Sequence, residues 1–178
     1  MRKQLFLSII DRLRKLQKNE QGLYVIAEEP NDDACAIKHF DLWNENLTNT
    51  HEDNPFYTPA VFIEFTPIPW QYQGTRVCDS VVTVLLHVVS RAIKPTAHGS
   101  MYQHEALEVF DLLDAINMCL DTHHTQGFGP LTNVLSETDT NWEELMHNIE
   151  HYTTHITNTG IKTSYQKITQ PELKITIK

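Results

Sequence analysis

Ten histidines in 178 residues are the first chemistry this chain offers, and three of them, His147, His151 and His155, recur every fourth residue. Histidine is the commonest metal ligand among side chains and one of those that bind zinc, and spacing decides whether neighbours can share one ion. On a helix successive members would stand about 6 Å apart and two could meet one metal. On a strand the same members would be about 13 Å apart and could not. The segment Trp142 to Ile156 satisfies helical spacing through Trp142, Leu145, Ile149 and Tyr152, while Thr153, Thr154, Ile156 and Thr157 favour a strand through their stiff branched side chains. We read a strand. No cysteine or carboxylate is obviously placed to complete a tetrahedron, so no metal or other cofactor is expected, and these three histidines are the residual candidates.

The other constellations have plainer readings. His87 lies inside the apolar run Val81 to Val89 and reads as a hydrogen-bonded core or interface residue rather than a base. His104-Glu105 lacks the second histidine of HExxH, and His123-His124 falls where a helix ends, a position that favours cations. Asp111 and Asp114 share one helix face as a solvated acidic stripe. Cys35, Cys78 and Cys119 are odd in number and widely separated, which points to reduced structural thiols. No GxSxG, P-loop or GxGxxG is present, and six scattered glycines do not cradle phosphate. No catalytic residue is assigned, and the chain is not read as an enzyme; a metal hydrolase using the C-terminal histidines is the enzymatic alternative.

The net charge of −9 disfavours nucleic acid as a partner, since binding there rests on Lys and Arg neutralising phosphates. No apolar run reaches the ~20 residues of a membrane-crossing helix. The N-terminal stretch from Met1 to Ile10 imitates a signal peptide, but Asp11-Arg12 ends it early, and it is expected to be folded and uncleaved.

The elements that must position these residues read as an α+β fold: a mostly antiparallel sheet with a long β-hairpin, packed against an N-terminal and a central helix. Residues 1–160 form a single domain in this reading, and 161–178 a polar C-terminal tail or strand. Leu5, Ile9, Leu13 and Leu16 predict a first helix of about 18 residues stopping near Gly22. Two short strands follow at Leu23–Ala27 and Ala36–Leu42, then a long exposed loop from Trp43 to Pro59. The segment Pro59 to Phe65 and a run from Arg76 to Ile93 predict the hairpin, its distal half reaching past the core with open edges. His104 to Asp121 predicts a helix with Leu107, Phe110, Leu113, Ile116 and Leu120 along one face, capped by Ser100 or a polar neighbour. Leu131–Thr138 and Met146–Thr157 complete the strands. Trp70 and Tyr72 in the hairpin loop, with Arg76 and Trp43, are the interface candidates, since aromatic and arginine side chains carry much interface energy.

With its elements in this order the chain resembles the tail terminator (tail completion, minor tail) proteins of long-tailed phages and prophages. The words that carry the likeness are Phe40-Asp-Leu-Trp-Asn-Glu45, Phe56-Tyr-Thr-Pro-Ala-Val-Phe-Ile-Glu-Phe65, Val84-Leu-Leu-His-Val88, His104 to Leu113, and the turn Asp139-Thr-Asn141 with the strand after it. The resemblance covers most of residues 36–156. It implies a structural protein, without catalysis, that forms a homo-oligomeric ring, a hexamer in that family. The ring would cap the tail tube, end its polymerisation and offer a surface to a head-tail connector. Its partners would be other copies of itself, the tail tube protein and the connector, and it would sit in the bacterial cytoplasm during assembly and then in the virion tail. Another head-tail connector or neck protein is the structural alternative.

Overall fold

The computed structural model describes residues 1–47, 56–72, 78–94, 96–123 and 128–158, with the backbone alone at Tyr72 and Asn158. The first helix, α1 (Arg2–Leu13), buries Leu5, Ile9 and Leu13, a four-residue spacing that keeps them on one side. It ends a turn earlier than its apolar pattern predicts. Leu16 is buried in the same core, but from a strand: β1 (Leu16–Lys18) pairs antiparallel with β2 (Tyr24–Ile26). Local turn chemistry decides this. The Asn19 side-chain oxygen accepts from the backbone N–H of Gln21 at 3.0 Å and of Leu23 at 2.9 Å, and Gly22 adopts φ +80°. Gly22 is therefore a hairpin residue and not a helix stop.

The main sheet contains β3 (His39–Leu42), β4 (Ala60–Phe65), β6 (Cys78–Arg91), β8 (Leu145–Asn158) and β7 (Thr132–Asp139) in that spatial order, with β5 (Gln71–Tyr72) paired to β6 beyond the end of β4. Among the described residues only β3 and β4 are parallel, so the sheet is mixed and mostly antiparallel, and with the two helices described the fold is α+β, as read from the sequence. The hairpin of β4 and β6 forms with Phe62 opposite His87. Its strands do not run free, however. β8 lines β6 from Cys78 to Arg91, and β4 and β5 occupy the other side, so the open edges lie at β3, β5 and β7 among the described residues. The ambiguous C-terminal segment is a strand, consistent with its β-branched residues.

Strand alternation gives the sheet two faces, and both are covered in part. Val61, Ile63, Val82, Val84, Leu86, Val88, Tyr152 and Ile156 form the larger core with α1 and the second helix, α2 (Gln103–Asp121). The stripe α2 buries is Ala106, Val109, Leu112, Ala115, Ile116, Cys119 and Leu120, rotated from the one expected: Leu107 and Phe110 are exposed. Two alanines in the buried stripe let the helix lie close to its neighbours, which the longer side chains would not. The N-cap position is Tyr102, whose side chain makes no capping bond, and the Gln103 side chain accepts from Gly99 N–H at 2.9 Å. At the far end Arg12 of α1 donates to the Cys119 carbonyl at 2.9 Å and to Thr122 Oγ1 at 3.0 Å, bringing a cation to a last turn that has none of its own.

On the opposite face Ala60, Phe62, Val89 and Leu47 are buried, with Trp43, Phe56, Trp142 and Leu145 packed against them. The stretch from Trp43 to Pro59 is thus no simple exposed loop. Its described ends fold over the sheet because Phe62 and Val89 project outward and need a cover; residues 48–55 of that reading, and the tail 161–178, lie outside the described residues.

Candidate functional site

The same alternation puts Glu64 of β4, His87 of β6 and His147 of β8 on the face that Trp43 covers, with Asp139 at the end of β7. They join in one line. Glu64 Oε2 is 3.0 Å from His87 Nε2, His87 Nδ1 is 2.9 Å from His147 Nε2, and His147 Nδ1 is 3.2 Å from Asp139 Oδ2. Both imidazoles are buried, and Glu64 is reached by solvent. Trp43 stacks flat on His87, ring centroids 3.9 Å apart and planes 2° from parallel, and lies 5.4 Å from the His147 ring. Asp139 is held by other donors too: Asn141 N–H at 3.0 Å, Asn141 Nδ2 at 2.6 Å and Trp142 Nε1 at 3.0 Å.

Burial pushes the pKa of His87 below the ordinary histidine value, opposed by its bond to Glu64 and reinforced by the neighbouring His147. Asp139 is held below the usual carboxylate range, first by the Asn141 backbone N–H and then by its bonds to His147 and Trp142. The chemical capacity of the site follows from its occupancy. All four ring nitrogens of the two histidines face a protein partner, so the pair is tied into the fold from both ends.

On the helix-covered face a second polar group is buried. Glu150 accepts from Asn133 Nδ2 at 2.5 Å and from the Ser136 hydroxyl, both on β7. A cleft of about 290 Å³ beside it runs between α2 and β7, lined by Phe110, Leu113, Asn133, Ser136 and Glu150 among others.

The candidates from sequence scatter. His147, His151 and His155 share a strand and a face but not a site: His147 belongs to the relay, His151 meets Glu137 at 3.3 Å, and His155 is exposed. Among the described residues no three or more His, Cys, Asp or Glu side chains gather as a metal site. His87 is the hydrogen-bonded core residue its apolar flanks suggest. Trp43, one of the interface candidates, is half-buried and stacks on His87, where a flat ring fills the gap above the imidazole better than water can. Trp70 is exposed, only the backbone of Tyr72 is described, where it pairs with Cys78, and Arg76 lies outside the described residues. Glu64 and Asp139 were missed. The signal for Glu64 was its place two residues after Phe62 on one strand face; Asp139 gave none without the register.

Fold and site together define an α+β domain with a closed histidine relay on one face of its sheet and an open edge at β7. Among the described residues no helix is long and apolar enough to cross a membrane. Compared with protein-family models and with curated protein sequences, the chain matches none.

Proposed function

We propose that this protein is a structural subunit that assembles into a ring and caps a tail tube, a phage or prophage tail terminator. The observation that carries the reading is the outer edge of β7. No strand pairs with it among the described residues, and it presents Val134 at 57% and Leu135 at 47% exposure. On the helix-covered face, across the cleft that Phe110 lines, α2 exposes Leu107 and Phe110, while Leu135, opposite His151, lies on the other face of the sheet. Apolar side chains next to unpaired backbone are what a second subunit covers. The register shift between Asn133 and Leu135, with the carboxylates of Glu137 and Asp139, blunts unselective pairing and favours a shaped partner. The partner favoured is another copy of the chain in head-to-tail contact, since β7 at one end of the sheet and β3 at the other are different surfaces, and heterologous contacts that close make rings.

The test is mass photometry of the purified chain across a concentration series, followed by electron microscopy of tube protein polymerised with and without it. Rings and shortened tubes are expected, and Val134→Lys with Leu135→Lys should abolish the rings while the circular dichroism spectrum is kept. A monomer at every concentration that leaves tube length unchanged would overturn the reading. Binding to the connector and not to the tube would replace it with a neck protein.

A further inference from the structure

The line Glu64–His87–His147–Asp139 contains three contacts, and each hydrogen bond needs one hydrogen. Two neutral imidazoles bring two, and two ionised carboxylates bring none. With two hydrogens, Glu64 and the central His–His contact take them, because Asp139 already has Asn141 and Trp142 as donors; the contact left over is the longest, at 3.2 Å. A third proton on His147 Nδ1 completes the line and places one imidazolium between two carboxylates. A fourth has no place. With both rings cationic, N–H would face N–H across 2.9 Å, with like charges on rings whose centroids are 5.1 Å apart.

We infer that the His87–His147 contact is an acid-opened latch: it holds two or three protons while Trp43 is stacked, and taking up the fourth releases Trp43 and the cover over Phe62. The latch is independent of the ring-assembly reading. In the unfolded chain both histidines charge at about the ordinary value of 6.5, whereas burial lowers His87 in the fold. Acid therefore puts more protons on the open form. Stability contributed by the latch is present above that value and is lost as pH falls through it. The charged and titratable groups around the pair on β4, β7 and β8 are Glu64, Asp139, and His151 with its partner Glu137. On β3, His39 lies against Phe62, and Asp41 accepts from Leu42 N–H. His151 adds a further opposing charge when protonated.

The experiment follows the ring nitrogen-15 shifts of His87 and His147 in the full chain from neutral to acid pH. In parallel, the near-ultraviolet dichroism of Trp43 is taken as the difference from Trp43→Phe. The expected result is that Trp43 loses its signal in step with the second ring becoming cationic, before the far-ultraviolet spectrum changes. In His147→Phe, which cannot form the doubly charged pair, the Trp43 transition should move to lower pH. Two fully cationic rings beneath an unchanged Trp43 signal would overturn the inference, as would a Trp43 signal that persists until the whole chain unfolds. Should His147→Phe not fold, the wild-type titration decides alone.

Discussion

Replacing Trp43 by alanine tests whether the relay face is a second core or only a decorated surface. Removing a fully buried Trp costs about 3–5 kcal/mol, and half-burial reduces that to roughly 2. Trp43 also stacks on His87 at 3.9 Å and meets Phe62 edge-on at 6.1 Å. Aromatic contacts of this kind add about 0.5–1.5 kcal/mol. The expected loss is therefore about 2–3 kcal/mol, or about 1 M in the urea midpoint at the upper end of the slopes usual for small proteins. Far-ultraviolet dichroism is the suitable probe, since the mutation removes a fluorophore, and the measurement belongs near pH 8, away from the acid range in which the latch is tested. Trp43→Phe keeps a ring over His87 and should lose about half as much. The alanine variant should also let water reach His87 and raise its pKa toward the ordinary value, because burial is the main cause of its depression. A Trp43→Ala protein within about 0.5 kcal/mol of wild type, with His87 unshifted, would refute the packing argument.

Glu150→Ala should cost about 2–3 kcal/mol in urea unfolding, because the Asn133 and Ser136 donors lose their shared acceptor in a buried place, while Glu150→Gln should cost less. Arg12→Ala should lower stability by about 1–2 kcal/mol through the freed Cys119 carbonyl at the end of α2, and amide hydrogen exchange should quicken first in the last turn of that helix. All three thiols are buried, and burial pushes Cys119 up to about 11, so alkylation near pH 8 should label none in the native chain within the time that labels all three in denaturant; mass spectrometry reads the difference.

What the sequence disclosed depended on how local each cause was. The strand from Ala60 to Phe65 and the helix ending at Asp121 are marked by their own residues, and both form within a residue or two of where their patterns begin. The branched threonines after Tyr152 correctly outweighed a helical spacing that the same segment also satisfies. Leu16 misled because a buried leucine suits the end of a helix and the start of a strand equally, and the Asn19 turn that decides between them is a side-chain effect. In α2 an apolar stripe did exist at Leu107 and Phe110, but packing chose the neighbouring one with smaller residues. The relay was out of reach for a different reason: Glu64 and Asp139 become partners of one histidine pair only when β4, β6, β8 and β7 have their register. Trp43 sat in polar surroundings that gave no hint of a lid.

The central strand β6 has a consequence for synthesis. Its longest partner, β8, ends at Asn158, about 67 residues after β6 ends at Arg91. At translation rates of roughly 5–20 residues per second, that gap lasts about 3–13 s. During it the Val- and Leu-rich edge of β6 is complete but unpaired, a template for any extended chain nearby. Fourteen residues of delayed, non-local pairing also mean a slow closing step. Yield in a cell should therefore depend on growth temperature and holding chaperones more strongly than the stability of the finished fold would suggest.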